Sequence, residues 1–377
     1  MKILVVFIDM LRNDLIDKNN ATSKNLSIAL ENIGGIRYSN CYTEAPDTPR
    51  SLATFWSGKS PQYNGCNTRL KYPYFFLKGE SSLDVALSKN FKIHVFANPN
   101  KLKSGIVPLN FDKIETLSGP GKGALSAFFD TLISQDNESD FIFVDLSDLH
   151  FANDDLSHNY LSESKGVKEL FSSLQTIEEY RSHLSVGKYL IFSDHGHQYD
   201  YERRKSQTVD LLDDNRTNVF LQIWQGEKGL TVDNRLTTLS EFGRSITEAI
   251  GGYEQDISPR PANEVRIEDH ENFSVSVGLP IKVYRHITSE YDVTVDYMGN
   301  LKTHRGFCDK NSVIERSSGL RDYITEYETY QKYKKMKRVV STYSNGKRRS
   351  SINKLPILKY VFRIFVRMTE KIVEKNN

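Results

Sequence analysis

Tyr189-Leu190-Ile191-Phe192-Ser193-Asp194-His195-Gly196-His197 is the stretch from which the fold is read. Its short apolar run reads as a strand buried on both faces, as in a parallel sheet. The strand runs directly into Ser-Asp-His-Gly. Gly196 lets the backbone turn tightly there, and the adjacent Asp194 and His195 put two metal-ligating groups on one strand-to-loop turn. The arrangement recurs. Residues 3–8 run into Asp9, and residues 141–144 lead into Asp145-Leu146-Ser147-Asp148-Leu149-His150. Residues 92–97 and 219–223 read as further buried strands, and residues 166–181 and 237–250 have helical patterns. Strands alternating with helices imply a mainly parallel sheet covered on both faces. Ligands of such sheets sit beyond the carboxyl ends of the strands, where Asp9, Asp148, His150, Asp194 and His195 fall.

After Gly251 the pattern changes. Residues 272–277, 281–287 and 291–297 alternate apolar with polar, and Met298-Gly299-Asn300 supplies a turn, which reads as a small antiparallel sheet. Residues 321–337 look helical, with Tyr323, Tyr327 and Tyr330 on one stripe. Residues 341–353 read as a linker. Residues 355–373 place Lys359, Arg363, Arg367 and Lys371 four apart on one helix face, with Val361, Phe362, Ile364, Phe365, Met368 and Ile372 filling much of the rest. The expected architecture is therefore α/β: a mainly parallel sheet sandwiched by helices, a small C-terminal antiparallel sheet and a basic amphipathic terminal helix. The expected divisions are 1–255 (catalytic), 256–340 (small α+β subdomain) and 341–377 (linker and helix).

Composition narrows the class. A chain of 377 residues that is 38% hydrophobic and 11% aromatic buries a real core. No run of about 18 uncharged apolar residues reads as a membrane span. Cys41, Cys66 and Cys308 make neither a disulfide framework nor a thiolate zinc site. The first apolar run stops at Asp9 and reads as a strand, not a signal peptide, so the expected compartment is the cytoplasm. Residues 330–377 hold 14 Lys/Arg against two acids, so the body is acidic and the tail strongly basic. Such a tail suits an anionic surface, and its apolar face suits a membrane interface. The expected partner of residues 352–377 is the inner membrane face, with self-packing or an oligomer contact as the other reading. Nucleic acid is disfavoured because aromatics are sparse on the basic face.

Residues 45–65 add a nucleophile. Thr48 falls at the start of a helix, where free N–H groups and the dipole favour an anion. A hydroxyl there, next to a metal, can ionise and attack phosphorus or sulfur. Taken alone, Thr48 reads equally as a helix cap with Pro49 at the favoured first position.

Together these pieces resemble the alkaline phosphatase superfamily, its sulfatase-like branch in particular, from residue 3 to about residue 300. Thr48 lies ten residues before Gly58, and Ser57-Gly58-Lys59-Ser60-Pro61-Gln62-Tyr63-Asn64-Gly65 fits the family's Thr/Ser-Gly-basic-x-Pro-x-x-x-Gly stretch. Ser193-Asp194-His195-Gly196 looks like its metal loop. Ser147-Asp148-Leu149-His150 resembles the Asp-Pro-His segment after the middle strand, and residues 216–221 resemble its Arg-Val-Pro-Leu-Ile strand.

Two departures turn the expectation away from sulfate esters. Sulfatases oxidise a Cys or Ser to formylglycine, which Thr48 cannot become, and they usually carry two adjacent acids where this chain has Asp9-Met10. A threonine here looks instead like the phosphodiesterase, lipoteichoic-acid synthase and phosphoethanolamine transferase branches. The resemblance then implies in-line attack by Thr48 on a phosphodiester through a phospho-threonine. One or two divalent ions (manganese, zinc, magnesium or calcium) would be held by Asp9, Thr48, Asp194 and His195, with Asp148 and a histidine at a second position. His304 is the candidate histidine, with His150 and His197 as the others, and Arg50 and Lys59 are candidates to contact phosphate oxygens. The expected substrates are a phosphate-containing donor, such as a phosphoglycerol or phosphoethanolamine group, and a glycan or lipid-linked acceptor, such as a capsule or lipopolysaccharide precursor. The other readings are a sulfatase-like hydrolase of another ester and a catalytically silent binding protein.

Overall fold

The structure is a computed structural model. It describes residues 1–16, 23–66, 77–103, 107–109, 111–121, 123–135, 139–150, 160–197, 208–253, 256–274, 279–296 and 298–316. Met1–Tyr323 forms one compact unit, and both large sheets lie within it. The helix expected at 321–337, the linker at 341–353 and the basic helix at 355–373 lie outside the described residues.

The strands in chain order are β1 (Lys2–Ile8), β2 (Gly35–Tyr38), β3 (Cys41–Tyr42), β4 (Lys92–Phe96), β5 (Thr116–Ser118), β6 (Asp140–Leu146) and β7 (Lys188–Ser193). They continue as β8 (Leu221–Trp224), β9 (Leu230–Asp233), β10 (Thr237–Thr238), β11 (Glu264–Ser274), β12 (Leu279–Thr288), β13 (Asp292–Asp296) and β14 (Leu301–Arg305). The main sheet has the order β5-β4-β6-β1-β7-β8-β2-β9. It is mainly parallel, with β8 antiparallel to both neighbours. A second sheet, β11-β12-β13-β14, is antiparallel throughout. The expected strands thus form, all but β11 within a residue or two of the expected bounds. The largest shift is β11, which begins at Glu264 because Val265 and Ile267 alternate with charged residues and turn inward. Strands β2, β5, β9 and β14 lack an apolar run and were not legible.

All seven residues of β1 are buried, as a central strand covered on both faces requires. Alternate side chains feed two cores. Val5 and Phe7 join Phe143 and Phe192 beneath Phe55 and Trp56 of the helix Thr48–Ser57. Leu4, Val6 and Ile8 join Leu170, Leu174 and Ile177 of the helix Tyr160–Arg181 on the other face. The Phe55 and Phe192 rings stack with centroids 4.3 Å apart, an arrangement that adds about 0.5–1.5 kcal/mol to the burial itself.

Register places the strand ends. Ile8 stands opposite Leu146 on one side and Ser193 on the other. Asp9, Ser147 and Asp194 therefore leave the sheet at one level. The helix Thr48–Ser57 begins over that edge, and its distance from the helix Leu239–Gly251 is set by glycine. A Cβ on Gly243 would meet the Phe55 carbonyl oxygen at 2.0 Å, and one on Gly58 would meet the Arg244 nitrogen at 2.8 Å. Gly58 also ends the helix in the left-handed region, at φ 61°.

The helix Leu239–Gly251 is capped by Thr238, whose hydroxyl accepts from the Glu241 N–H at 3.2 Å. Beside this cap, Ser240 Oγ donates to Glu44, a carboxyl only 4% exposed. Burial pushes the Glu44 pKa from 4.5 up to about 7, against the hydrogen bonds from Ser240 and Thr238.

Two outcomes are expected. Gly243→Ala forces the two helices apart and lowers stability by at least about 2 kcal/mol, read as a fall in the urea midpoint. Between pH 4.5 and 7 the folded chain keeps a Glu44 proton that the unfolded chain releases, so its stability contribution is full below pH 4.5 and is lost as pH rises through 7. The loss is about 3 kcal/mol, and Glu44→Gln flattens this part of the stability–pH curve.

Candidate metal centre and nucleophile

The helix carrying Thr48 is capped by Asp47, not by Thr48. Asp47 is the cap: its carboxylate accepts from the Arg50 N–H at 3.2 Å, and Pro49 occupies the first turn. Thr48 is the first helical residue, so its hydroxyl is not consumed by capping. It lies 3.3 Å from His195 Nε2. The His195 ring is oriented by its other nitrogen, 2.6 Å from the Gly196 carbonyl oxygen. That oxygen only accepts, so Nδ1 carries a proton, and Nε2 is the ring nitrogen that faces Thr48. Gly196 itself is obligatory, because a Cβ there would meet the Asn215 carbonyl oxygen at 1.9 Å.

Asp194 and Asp9 complete a group of three whose ligand atoms all lie within 4.8 Å of one another. Asp194 Oδ1 accepts from the N–H groups of Met10, 3.2 Å, and His195, 2.8 Å. Met10 reaches it from a left-handed conformation, φ 64°, a strained backbone state for a side chain of this kind. Asp194 Oδ2 stands 3.4 Å from His195 Nε2. Both carboxylates are fully buried, and Asp9 Oδ1 and Asp194 Oδ2 have no hydrogen-bond partner. Burial, and then the Asp9 charge, push Asp194 up to about 6. Two orphaned carboxylate oxygens beside an imidazole nitrogen and a hydroxyl are a donor set that fits a divalent ion of the manganese, zinc, magnesium or calcium kind.

A cation is already built in beside them. Lys101, on the helix Pro99–Lys103, donates to Asp9 Oδ2 at 2.5 Å, Asp145 Oδ1 at 3.1 Å and Ser147 Oγ at 2.5 Å. Burial works to raise the Asp9 pKa, yet Lys101, His150 and His195 together hold it below the ordinary value. For Asp145 burial wins and the pKa is raised. The Lys101 pKa is raised because these two carboxylates outweigh its own burial.

Asp9, Thr48, Asp194 and His195 are thus brought together, and His150 comes close enough to Asp9 to act on its charge. The other candidates are placed elsewhere. Asp148 turns away and accepts from Ser173 Oγ at 3.3 Å, so the acid that β6 supplies to the cluster is Asp145. Burial pushes Asp148 up to about 6. His304, on β14, bonds Thr294 at 3.0 Å and stands 3.8 Å from Asp213, within the polar network of the second sheet. His197 is buried with Nδ1 3.3 Å from the Met10 carbonyl oxygen. Arg50 is a buried tie: Nε donates to Asp47 at 2.5 Å and Nη1 to the Glu268 carbonyl at 3.1 Å. Lys59 follows the far end of the ten-residue helix Thr48–Ser57, roughly 15 Å along its axis from Thr48 and beyond the reach of a phosphate held there. Lys101 was missed because no acidic or imidazole group marks the end of β4. The rule that ligands gather at carboxyl strand ends would have reached it.

The family-model and curated-protein comparisons give no match to this sequence. Solved structures do match. A protein in the alkaline phosphatase superfamily from Vibrio parahaemolyticus aligns with a TM-score of 0.58 at 12% identity, over 88% of each chain. A 2-O GAG sulfatase aligns at 0.56 and 12% identity, over 91% of this chain and 92% of that one. The phosphonate monoester hydrolase of Silicibacter pomeroyi aligns at 0.53 and 10% identity, over 89% and 95%. The chain has the fold of the sulfatase-like alkaline phosphatase superfamily.

Proposed function

We propose that the chain is a metal-dependent enzyme that cleaves a phosphodiester through a covalent bond to Thr48. The observation that carries this reading is the uncapped Thr48 hydroxyl 3.3 Å from His195 Nε2, at the rim of the Asp9, Asp194 and His195 cluster. Asp9, Thr48, Asp194 and His195 would hold one divalent ion, which would lower the hydroxyl pKa and offset phosphate charge.

The remaining chemistry belongs to the chain. The positive end of the helix dipole at Thr48 favours the negative charge that builds on the phosphoryl oxygens. The Thr48 hydroxyl gives its proton to solvent water, the Oγ1–P bond forms as the P–O bond to the leaving alcohol breaks, and the leaving oxygen takes a proton from His150. Water, or an acceptor hydroxyl, then gives a proton back to His150 as its oxygen bonds to phosphorus and the Oγ1–P bond breaks, and the Thr48 oxygen regains a proton from solvent. Hydrolysis is favoured over transfer because the similar structures named for an activity are a sulfatase and a hydrolase. A sulfate ester is disfavoured because threonine yields no aldehyde. A glycan or lipid-linked substrate remains the proposal drawn from the basic tail. Among the described residues, no helix is long and apolar enough to cross a membrane.

Lys101 supports a one-ion centre. Its ammonium pairs with both Asp9 and Asp145, so these two carboxylates already share a cation without a second ion.

Purified chain incubated with manganese is expected to retain one ion by elemental mass spectrometry and to turn over bis(p-nitrophenyl) phosphate. Asp194→Ala loses the ion. Thr48→Ala lowers turnover by at least about a thousandfold, and unchanged turnover in that variant would sink the nucleophile. In chelator, Lys101→Met leaves two buried carboxylates without their cation and lowers stability by about 3–5 kcal/mol by urea unfolding. With manganese the same variant takes up a second ion, whereas two ions in the wild type would overturn the one-ion centre.

A further inference from the structure

One short turn touches both halves of the candidate site. The helical turn Asp214–Thr217 bonds the loop that ends in Thr48 and the loop that carries His195. On the nucleophile side, the Thr217 carbonyl oxygen accepts from the Thr43 N–H at 3.0 Å. Arg216 Nη2 donates to the carbonyl oxygen of Pro46 at 3.1 Å, just ahead of Thr48. On the other side, the Arg216 carbonyl oxygen accepts from the N–H of Gly196, the neighbour of His195, at 2.9 Å.

The turn is held in place without the Arg216 side chain. The buried Arg285 guanidinium donates to Thr217 Oγ1 at 2.9 Å, to the Leu212 carbonyl oxygen at 2.7 Å and to Asp214 at 2.7 Å. Lys302 donates at 2.7 Å to Asp213, the residue before the turn. The body of the nucleophile helix is fixed in the core by Phe55 and Trp56. Its first turn, where Thr48 stands 3.3 Å from His195 Nε2, is held from outside. Two arginines meet there on one acid. Arg50 stands 3.6 Å from Asp269 Oδ1, and Arg216 stands 3.4 Å from Asp269 Oδ2.

We propose that Arg216 is a positioning residue whose guanidinium and carbonyl oxygen together set the spacing between Thr48 and His195. The inference rests on the Thr48 chemistry proposed above. A guanidinium suits the task because one rigid planar group serves the Pro46 carbonyl, the Leu211 carbonyl at 3.2 Å and Asp269. Truncating it leaves Asp9, Asp194 and His195 intact but releases the Pro46 carbonyl. A misplacement of about 1 Å at a reacting group costs about a hundredfold in rate. The side chain is 21% exposed, so its removal opens space to solvent and seals no cavity into the core.

The test compares Arg216→Ala and Arg216→Lys with the wild type, in the full chain. In chelator, hydrogen exchange read by mass spectrometry is expected to quicken at least about fivefold over residues 43–50 in Arg216→Ala, with β1 and β6 unchanged. With manganese, Arg216→Ala is expected to keep its ion. Its kcat on bis(p-nitrophenyl) phosphate falls at least about thirtyfold while KM stays within about twofold. Arg216→Lys, which still carries a donor for Pro46, falls between Arg216→Ala and the wild type. Added guanidinium, far below the concentrations that unfold the chain, raises the kcat of Arg216→Ala at least about fivefold and does nothing for Thr48→Ala.

Unchanged kcat in Arg216→Ala beside an inactive Thr48→Ala would overturn the positioning role and leave the nucleophile standing. Full turnover in Thr48→Ala would instead remove the nucleophile, and with it the task assigned to Arg216. Unchanged exchange over residues 43–50, loss of the ion in Arg216→Ala, or no response to guanidinium would each overturn the proposal. A urea midpoint that collapses alike in Arg216→Ala and Arg216→Lys would do so too, by assigning Arg216 to the stability of the fold alone.

Discussion

The register of β1 between β6 and β7 is the constraint on which the site depends. Phe7 faces Asp145 and Phe192, and Ile8 faces Leu146 and Ser193. Side chains along a strand alternate between faces, so a slip of one residue would send every core side chain of β1 to the wrong layer. Burial on both faces makes such a slip prohibitive. The packing that holds the core therefore also sets the level at which Asp9 and Asp194 emerge. Hydrophobic burial supplies the energy, and the chemistry inherits the geometry.

That geometry crowds three acids, Asp9, Asp145 and Asp194, into a region closed to water. Like charges in a poorly screened site cannot all ionise freely. The fold divides the burden unequally. Asp9, next to Lys101, His150 and His195, is held ionised, whereas Asp145 and Asp194 are pushed toward the neutral form. Cationic charge offered on the Thr48 side would reverse the second effect at Asp194. The unpaired oxygens and the His195 Nε2 face that side. Burial here raises the affinity of the cluster for a cation as much as it strains the cluster without one.

Much of this was legible because it is local. An apolar run that stops at an acid, or at Asp194-His195-Gly196, carries its own reading. Long-range identity was harder. Asp148 and Asp145 lie three residues apart on one segment, and only the pairing of β6 with β1 tells which of them reaches Asp9. Arg50 looked free because its partner carbonyl and carboxylate, on Glu268 and Asp269, come from a strand 218 residues away. Lys59 belongs to the same sequence motif as Thr48, but a helix separates its two ends by its own length. Lys101 carries no signature and is defined only by what surrounds it. Strands β2, β5, β9 and β14 escaped notice for another reason: edge and near-edge strands of three to five residues need no apolar run.

The buried guanidinium of Arg50 has a consequence for how such a protein can change through descent. It ties the first turn of the Thr48 helix to β11, and Arg216 adds a second tie from Asp269 to the Pro46 carbonyl. The small sheet is thus not a module that recombination could exchange at residue 255 while leaving the larger half intact. A lineage that swapped it would have to carry both arginines' partners across together. Variation is channelled instead toward exposed loops, which can drift without loosening the nucleophile.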